Sequence, residues 1–211
     1  MNEIKYNSFC VMLEVKNMRY LTHSAQETEH LAERFINDLA SFLPVTSYTR
    51  PTDDRIVGLG QLPVTIFLSG ELGSGKTTFV KGVAKALGIK ETIKSPTFII
   101  ERVHRIKGHE RFKHLVHIDA YRLENGEELK HLGWEEIARD PENLILIEWP
   151  EKVAEVLPKN YTLLKFRVIK EDKREINLSV SSKCQNPNAP WASPTGFSQI
   201  DVKVRGKVKS I

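Results

Sequence analysis

Two hundred and eleven residues suit one domain with some length to spare, and a chain of that size buries about 70% of its unfolded surface without a disulfide scaffold. With 40% hydrophobic and 27% charged residues, 12 Gly and 10 Pro, the composition excludes collagen, a coiled coil and wholesale disorder, and no run approaches a membrane span. The net charge of +4 is uneven: from Lys159 onward eleven Lys and Arg face four Asp and Glu, while the preceding residues carry a slight negative excess.

Lys5, Glu14, Lys16 and Arg19 interrupt the apolar stretch a signal peptide would need, which predicts a cytoplasmic protein with no membrane association. Cys10 and Cys184 then read as free thiols of a reducing compartment. Ser24 followed by Glu27 forms a capping box, and Leu31, Phe35, Ile36, Leu39 and Phe42 recur at helical spacing, which predicts a helix over 25–42. Residues 44–63, with three Pro, two Gly and Asp53-Asp54, form a loop. Val64–Ser69 is a strand ending on a Gly-rich turn, and Lys76–Leu87 a helix closed by Gly88. Further strands are expected at 98–103, 115–119, 143–148, 162–169 and 175–181, with short helices at 127–131, 134–139 and 150–156. Residues 185–196, with three Pro and two Asn, read as a loose tail. The alternation predicts an α/β fold of three layers, with a mainly parallel central sheet and antiparallel C-terminal additions. A core domain over 20–182 lies between extensions at 1–19 and 183–211.

Gly70-Glu-Leu-Gly-Ser-Gly75-Lys76-Thr77 fits G-x-x-x-x-G-K-[ST], the phosphate-binding P-loop. Its glycines permit a tight loop whose backbone N–H groups turn toward phosphate oxygens, and the following helix presents its positive end to the anion. Lys76 would meet the β/γ-phosphates and Thr77 would offer a hydroxyl to Mg²⁺, so a nucleoside triphosphate is the expected ligand. Such a site also needs a carboxylate at the tip of a neighbouring strand. Asp119 and Glu148, each closing an apolar run, are the candidates. His104, His109 and His114 recur every five residues without a zinc-ligand spacing and read as a polar hairpin. His117 reads as a structural histidine.

Four motifs in order, Gly70–Thr78, Lys94-Ser-Pro-Thr-Phe98, His117-Ile-Asp-Ala-Tyr-Arg-Leu123 and Ile147-Glu-Trp-Pro-Glu151, resemble those of the TsaE family over residues 20–182. The resemblance implies a P-loop NTPase-type fold and an ATPase that uses ATP and Mg²⁺. Its role would be in N6-threonylcarbamoyladenosine modification beside the anticodon of tRNA, with the TsaD and TsaB subunits as partners and any tRNA contact made through that complex. Carried over, Gly70, Gly73, Ser74, Gly75, Lys76, Thr77 and Thr78 would hold the phosphates. Thr77, Asp119 and Glu148 would hold the metal, and Trp149 would be needed for activity. Ser95 and Thr97 would belong to a switch-type loop near the γ-phosphate, and Thr28 and Arg174 would flank the adenine end. The long 44–63 loop and both extensions depart from the family pattern without touching a motif. No arginine obviously supplies charge to a transferring phosphoryl group: Arg122, three residues past Asp119, is the nearest and its spacing suggests a structural or interface role, which with the resemblance implies slow hydrolysis without the partner complex.

Two rival readings share the P-loop: a small-molecule or nucleoside kinase, and a nucleotide-gated binding module. A kinase should offer an acceptor pocket and an Arg-rich lid, whereas Arg102, Arg105 and Arg111 fall in the expected hairpin.

Overall fold

The computed structural model describes residues 18–39, 63–96 and 100–181. Strands are β1 (Met18–Thr22), β2 (Val64–Gly70), β3 (Glu101–Arg105), β4 (His114–Asp119), β5 (Asn143–Glu148), β6 (Tyr161–Val168) and β7 (Arg174–Ser181). Helices are α1 (Ala25–Asn37), α2 (Lys76–Ala86), α3 (Gly126–His131) and α4 (Trp134–Ile137). All seven strands form one sheet in the order β1-β7-β6-β2-β5-β4-β3. The inner neighbours β6, β2, β5 and β4 are parallel, and β7 adds antiparallel to β6.

Side-chain alternation on the inner strands builds two cores. Ile66, Leu68, Leu144 and Leu146 pack on one face with Leu31, Phe35, Phe79 and Val83 of α1 and α2. Phe67, Ile145 and Ile147 pack on the other with Leu129, Trp134 and Val153. β5 is buried along its whole length, as a parallel strand covered on both sides should be. The result is a mixed α/β fold with a mainly parallel centre.

The capping box at α1 forms with one shift. Ser24 Oγ accepts from Glu27 N at 3.0 Å, but the Glu27 carboxylate reaches His23 N, at 2.7 Å, rather than the N-cap amide. α1 ends at Asn37, five residues before the expected boundary. Leu39 still packs in the core beyond it, while Phe42 lies outside the described residues.

Three further differences have local causes. β1 was not expected as a strand, and it begins inside the segment assigned to an N-terminal extension. Five residues that include Arg19 carry little strand signal, yet β1 pairs antiparallel with β7, and Arg19 forms an ion pair with Glu175. β3 runs Glu101–Arg105, two residues later than its expected end, and is antiparallel to β4, so antiparallel strands border the sheet on both sides. The helix expected over 150–156 is two 3₁₀ turns, Pro150–Lys152 and Ala154–Val156, broken at Val153, whose φ of −134° is not helical. Cys10, Cys184, the 185–196 tail and most of the 44–63 loop lie outside the described residues.

α1 and α2 cross at Gly82, where a Cβ atom would fall 2.3 Å from Glu29 O and 2.7 Å from Ala32 Cβ. Both neighbours belong to α1, one of them backbone, so neither can move without shifting the helix. Gly82→Ala should therefore lower the unfolding free energy by about 1–3 kcal/mol despite alanine's better helix propensity, measured by urea denaturation.

Candidate functional site

Three parallel strands deliver their last residues to one edge of the sheet. Leu68 of β2 is in register with Glu148 of β5, and Glu148 with Asp119 of β4. Strand parity places His117, Asp119 and Glu148 on the face covered by α2, the face to which Leu115, Leu144 and Leu146 belong. Both carboxylates are 3% exposed.

Between β2 and α2 the chain turns through Gly70, Gly73 and Gly75, with φ of 145°, 73° and 102°. Gly70 is also held by space, since a Cβ there would lie 2.4 Å from Phe166 O on β6. The turn brings the N-terminus of α2 to the strand ends. Lys76, its first residue, donates from Nζ to Gly70 O at 2.6 Å and Glu71 O at 2.9 Å, and the ammonium sits 4.1 Å from the centroid of the Trp149 ring. Burial pushes this ammonium below its ordinary pKa, while Glu148, Asp119 and Glu151 pull it back up.

Thr77 Oγ1 donates to Glu148, 2.9 Å from Oε1 and 3.2 Å from Oε2. Asp119 is fixed by Ser95 Oγ, which donates to Oδ2 at 2.7 Å, and by Tyr121 N, which donates to Oδ1 at 3.1 Å. Trp149 adopts a left-handed backbone, φ 60° and ψ 48°, uncommon for a bulky residue, with its N–H donating to Leu68 O at 3.1 Å. That turn puts the indole over Lys76 and 5.1 Å from the Tyr121 ring.

These groups line a cleft of about 380 Å³. It gathers Gly73, Ser74, Gly75, Lys76, Thr77, Thr78, Ser95, Asp119, Glu148 and Trp149, together with Thr28 and Arg174. Thr28 is buried in α1, donating to Ser24 O at 3.1 Å and lying 2.9 Å from Thr22 Oγ1. Arg174, whose strand partner is Thr22, reaches Gly73 O at 3.5 Å. Gly70 starts the loop without lining the cleft, and Thr97 lies outside the described residues. Arg102, Arg105 and Arg111 do not line it.

Sequence reasoning did not single out Tyr121, Asp172 or Leu72, which also line the cleft. Tyr121 follows Asp119 by two residues, and that proximity was the available signal. His117 is fully buried with Nε2 2.9 Å from Glu148 Oε1, so the residue read as structural contacts a candidate metal ligand. The other histidines are dispersed: His104 pairs with Glu91, and His109 stacks on Phe112.

The Thr77 hydroxyl and the two carboxylates are hard oxygen donors. Mg²⁺ is commonly held by one or two carboxylates together with substrate phosphates, and this set fits that habit.

A family model for "Threonylcarbamoyl adenosine biosynthesis protein TsaE" matches residues 22–176. The chain belongs to the TsaE family. It is 40% identical over 114 residues to the tRNA threonylcarbamoyladenosine biosynthesis protein TsaE of Treponema pallidum, covering 54% of this chain and 80% of that one. The TsaE protein of Bacillus subtilis is 28% identical over 165 residues, covering 78% of this chain and 87% of that one. The crystal structure of YdiB from Bacillus subtilis superposes with a TM-score of 0.55 at 25% identity, covering 80% of this chain and 88% of that one. The family match starts at Thr22, the last residue of β1, and takes in all four motifs.

The lowered pKa of Lys76 has a signed consequence. In the folded chain Lys76 gives up its proton at lower pH than in the unfolded chain, so between those two values the unfolded state binds more protons. Wild-type stability relative to Lys76→Met should rise with pH as the medium approaches the ordinary lysine pKa from below, measured as the difference in urea midpoints along an alkaline pH series.

Proposed function

We propose that this chain is an ATPase of tRNA threonylcarbamoyladenosine biosynthesis, acting with the TsaB–TsaD complex. One observation carries the ATPase reading: a glycine loop, a lysine at a helix N-terminus and a threonine hydroxyl bonded to a strand-end carboxylate converge in one cleft. Family membership supports the pathway. The fold suits a P-loop NTPase, with the parallel strands ending at the cleft and α2 pointing its positive end into it.

In this reading the loop amides and the α2 N-terminus receive the phosphates. Lys76 has three N–H donors and spends two on loop carbonyls, which leaves its charge and one donor for a phosphate oxygen. Thr77, Glu148 and Asp119 would hold Mg²⁺, which when bound would offset the negative charge that develops on the transferring phosphoryl group. Asp119, held at both oxygens by Ser95 and Tyr121 N, is placed to orient a water. Thr28 and Arg174 border the nucleoside end. A cytoplasmic location follows from this role, and no described helix is long and apolar enough to cross a membrane.

Lys76→Ala should abolish hydrolysis and weaken ATP binding. Glu148→Gln and Asp119→Asn should each lower kcat by at least about 10²-fold while nucleotide still binds. Normal turnover in all three variants would place the chemistry elsewhere.

Because Arg122, the nearest motif arginine, reads by its spacing as a structural or interface residue rather than a donor to the transferring phosphoryl group, the chain alone should turn over slowly, and the TsaB–TsaD complex should raise kcat at least about 10-fold. Lys165, Arg167 and Lys170 are exposed on and beside β6, so the acceleration should shrink with salt if this basic segment docks an acidic surface. Steady-state ATP turnover alone, with the complex, and with the complex at high salt measures both effects. Full turnover alone, indifferent to the complex, would favour the kinase reading, with an acceptor screen to follow.

A further inference from the structure

We infer that His117 is a positioning residue that fixes the Glu148 carboxylate for the metal, rather than a histidine that merely fills the core. The inference rests on the reading of Glu148 as a metal ligand. His117 is 0% exposed on β4, and its Nε2 lies 2.9 Å from Glu148 Oε1, one strand away. An ionised carboxylate only accepts, so the Nε2 proton donates to it. The other ring nitrogen, Nδ1, is buried with no hydrogen-bond partner among the described residues. A buried imidazole that leaves one nitrogen unpaired is a costly way to fill space, and a leucine or methionine would do so without that cost. The polar contact the ring does make is with Glu148.

Two donors therefore clamp one carboxylate: Thr77 Oγ1 from α2 and His117 Nε2 from β4. They come from different elements, so together they fix where the Glu148 oxygens stand relative to Lys76 and Asp119. Thr77 Oγ1 has a single proton to share between the two Glu148 oxygens, at 2.9 and 3.2 Å, and His117 Nε2 supplies a second donor at Oε1. Hydrogen bonds of this kind to ligating groups commonly change metal affinity or activity by 10–100-fold.

The test compares two substitutions of similar size, His117→Gln, whose amide N–H can stand in for Nε2–H, and His117→Met, which has no donor. Mn²⁺ affinity in the presence of ADP, followed by electron paramagnetic resonance, is the main readout. ADP affinity in EDTA, kcat and melting temperature are measured beside it. His117→Met should weaken Mn²⁺ binding about 10-fold or more and lower kcat with it, while ADP affinity in EDTA stays within about 2-fold. His117→Gln should recover most of the loss. In a Glu148→Gln background, exchanging His117 for Met should cost nothing further.

Normal Mn²⁺ affinity in folded His117→Met, equal losses in the Met and Gln variants, or an undiminished effect in the Glu148→Gln background would each overturn the assignment. If His117→Met does not fold, the Gln variant decides: Mn²⁺ affinity near wild type supports the role, and a loss of 10-fold or more refutes it. Unchanged Mn²⁺ affinity in Glu148→Gln itself would instead refute the metal reading of Glu148, and that outcome is distinct from a failure of His117.

Discussion

The site depends on the register of three parallel strands. β5 and β4 stop in step and β2 runs two residues past them into the glycine turn, so that Glu148 and Asp119 arrive at one edge beside Gly70 with their carboxylates on the same face. A one-residue slip of β4 against β5 would turn His117 and Asp119 toward the Leu129–Trp134 core and bring Ile118 to the cleft. The apolar alternation of Leu115, Ile118, Leu144 and Ile147 between two cores makes that slip expensive. The same hydrophobic pattern that holds the sheet together thus sets the chemistry at its end.

The carboxylates so delivered are adjacent, nearly dehydrated and of like sign, an arrangement that isolated strand ends would avoid. Donors offset the cost. Ser95 and the Tyr121 amide serve Asp119, Thr77 and His117 serve Glu148, and Lys76 supplies the nearby positive charge. Lys76 is itself shielded from water, held by loop carbonyls and by the face of an indole whose backbone has been forced left-handed. Groups that would be unstable singly are stable as a set, and the set leaves a cleft lined with both charges.

Much of this is legible in the sequence alone. The glycine pattern from Gly70 to Gly75 has few structural solutions, and Val64–Ser69 before it and Lys76–Leu87 after it gave the strand and helix that the pattern requires. Asp119 and Glu148 were visible because each ends an apolar run. What stayed hidden depends on distant partners. β1 is too short and too polar to show as a strand until β7 lies beside it. The 150–156 stretch has helical composition, but its N-terminal residue follows the left-handed Trp149, and only 3₁₀ turns fit. His117 looked like core because burial was the readable property, whereas the Glu148 oxygen beside it comes from another strand.

The pairing of β1 with β7 bears on how the molecule is made. β1 is the first described strand to leave a ribosome, and its only neighbour, β7, is the last. Until β7 has been synthesised, β1 has no ladder to join. Thr22 at its end and Thr28 in the following helix, which borders the cleft, then lack the frame that holds them together. The parallel centre and the glycine loop can assemble earlier, so the side of the cleft bordered by Thr28 and Arg174 is the part completed last. A nascent chain stopped before Arg174 would carry the glycine loop without a finished pocket around it.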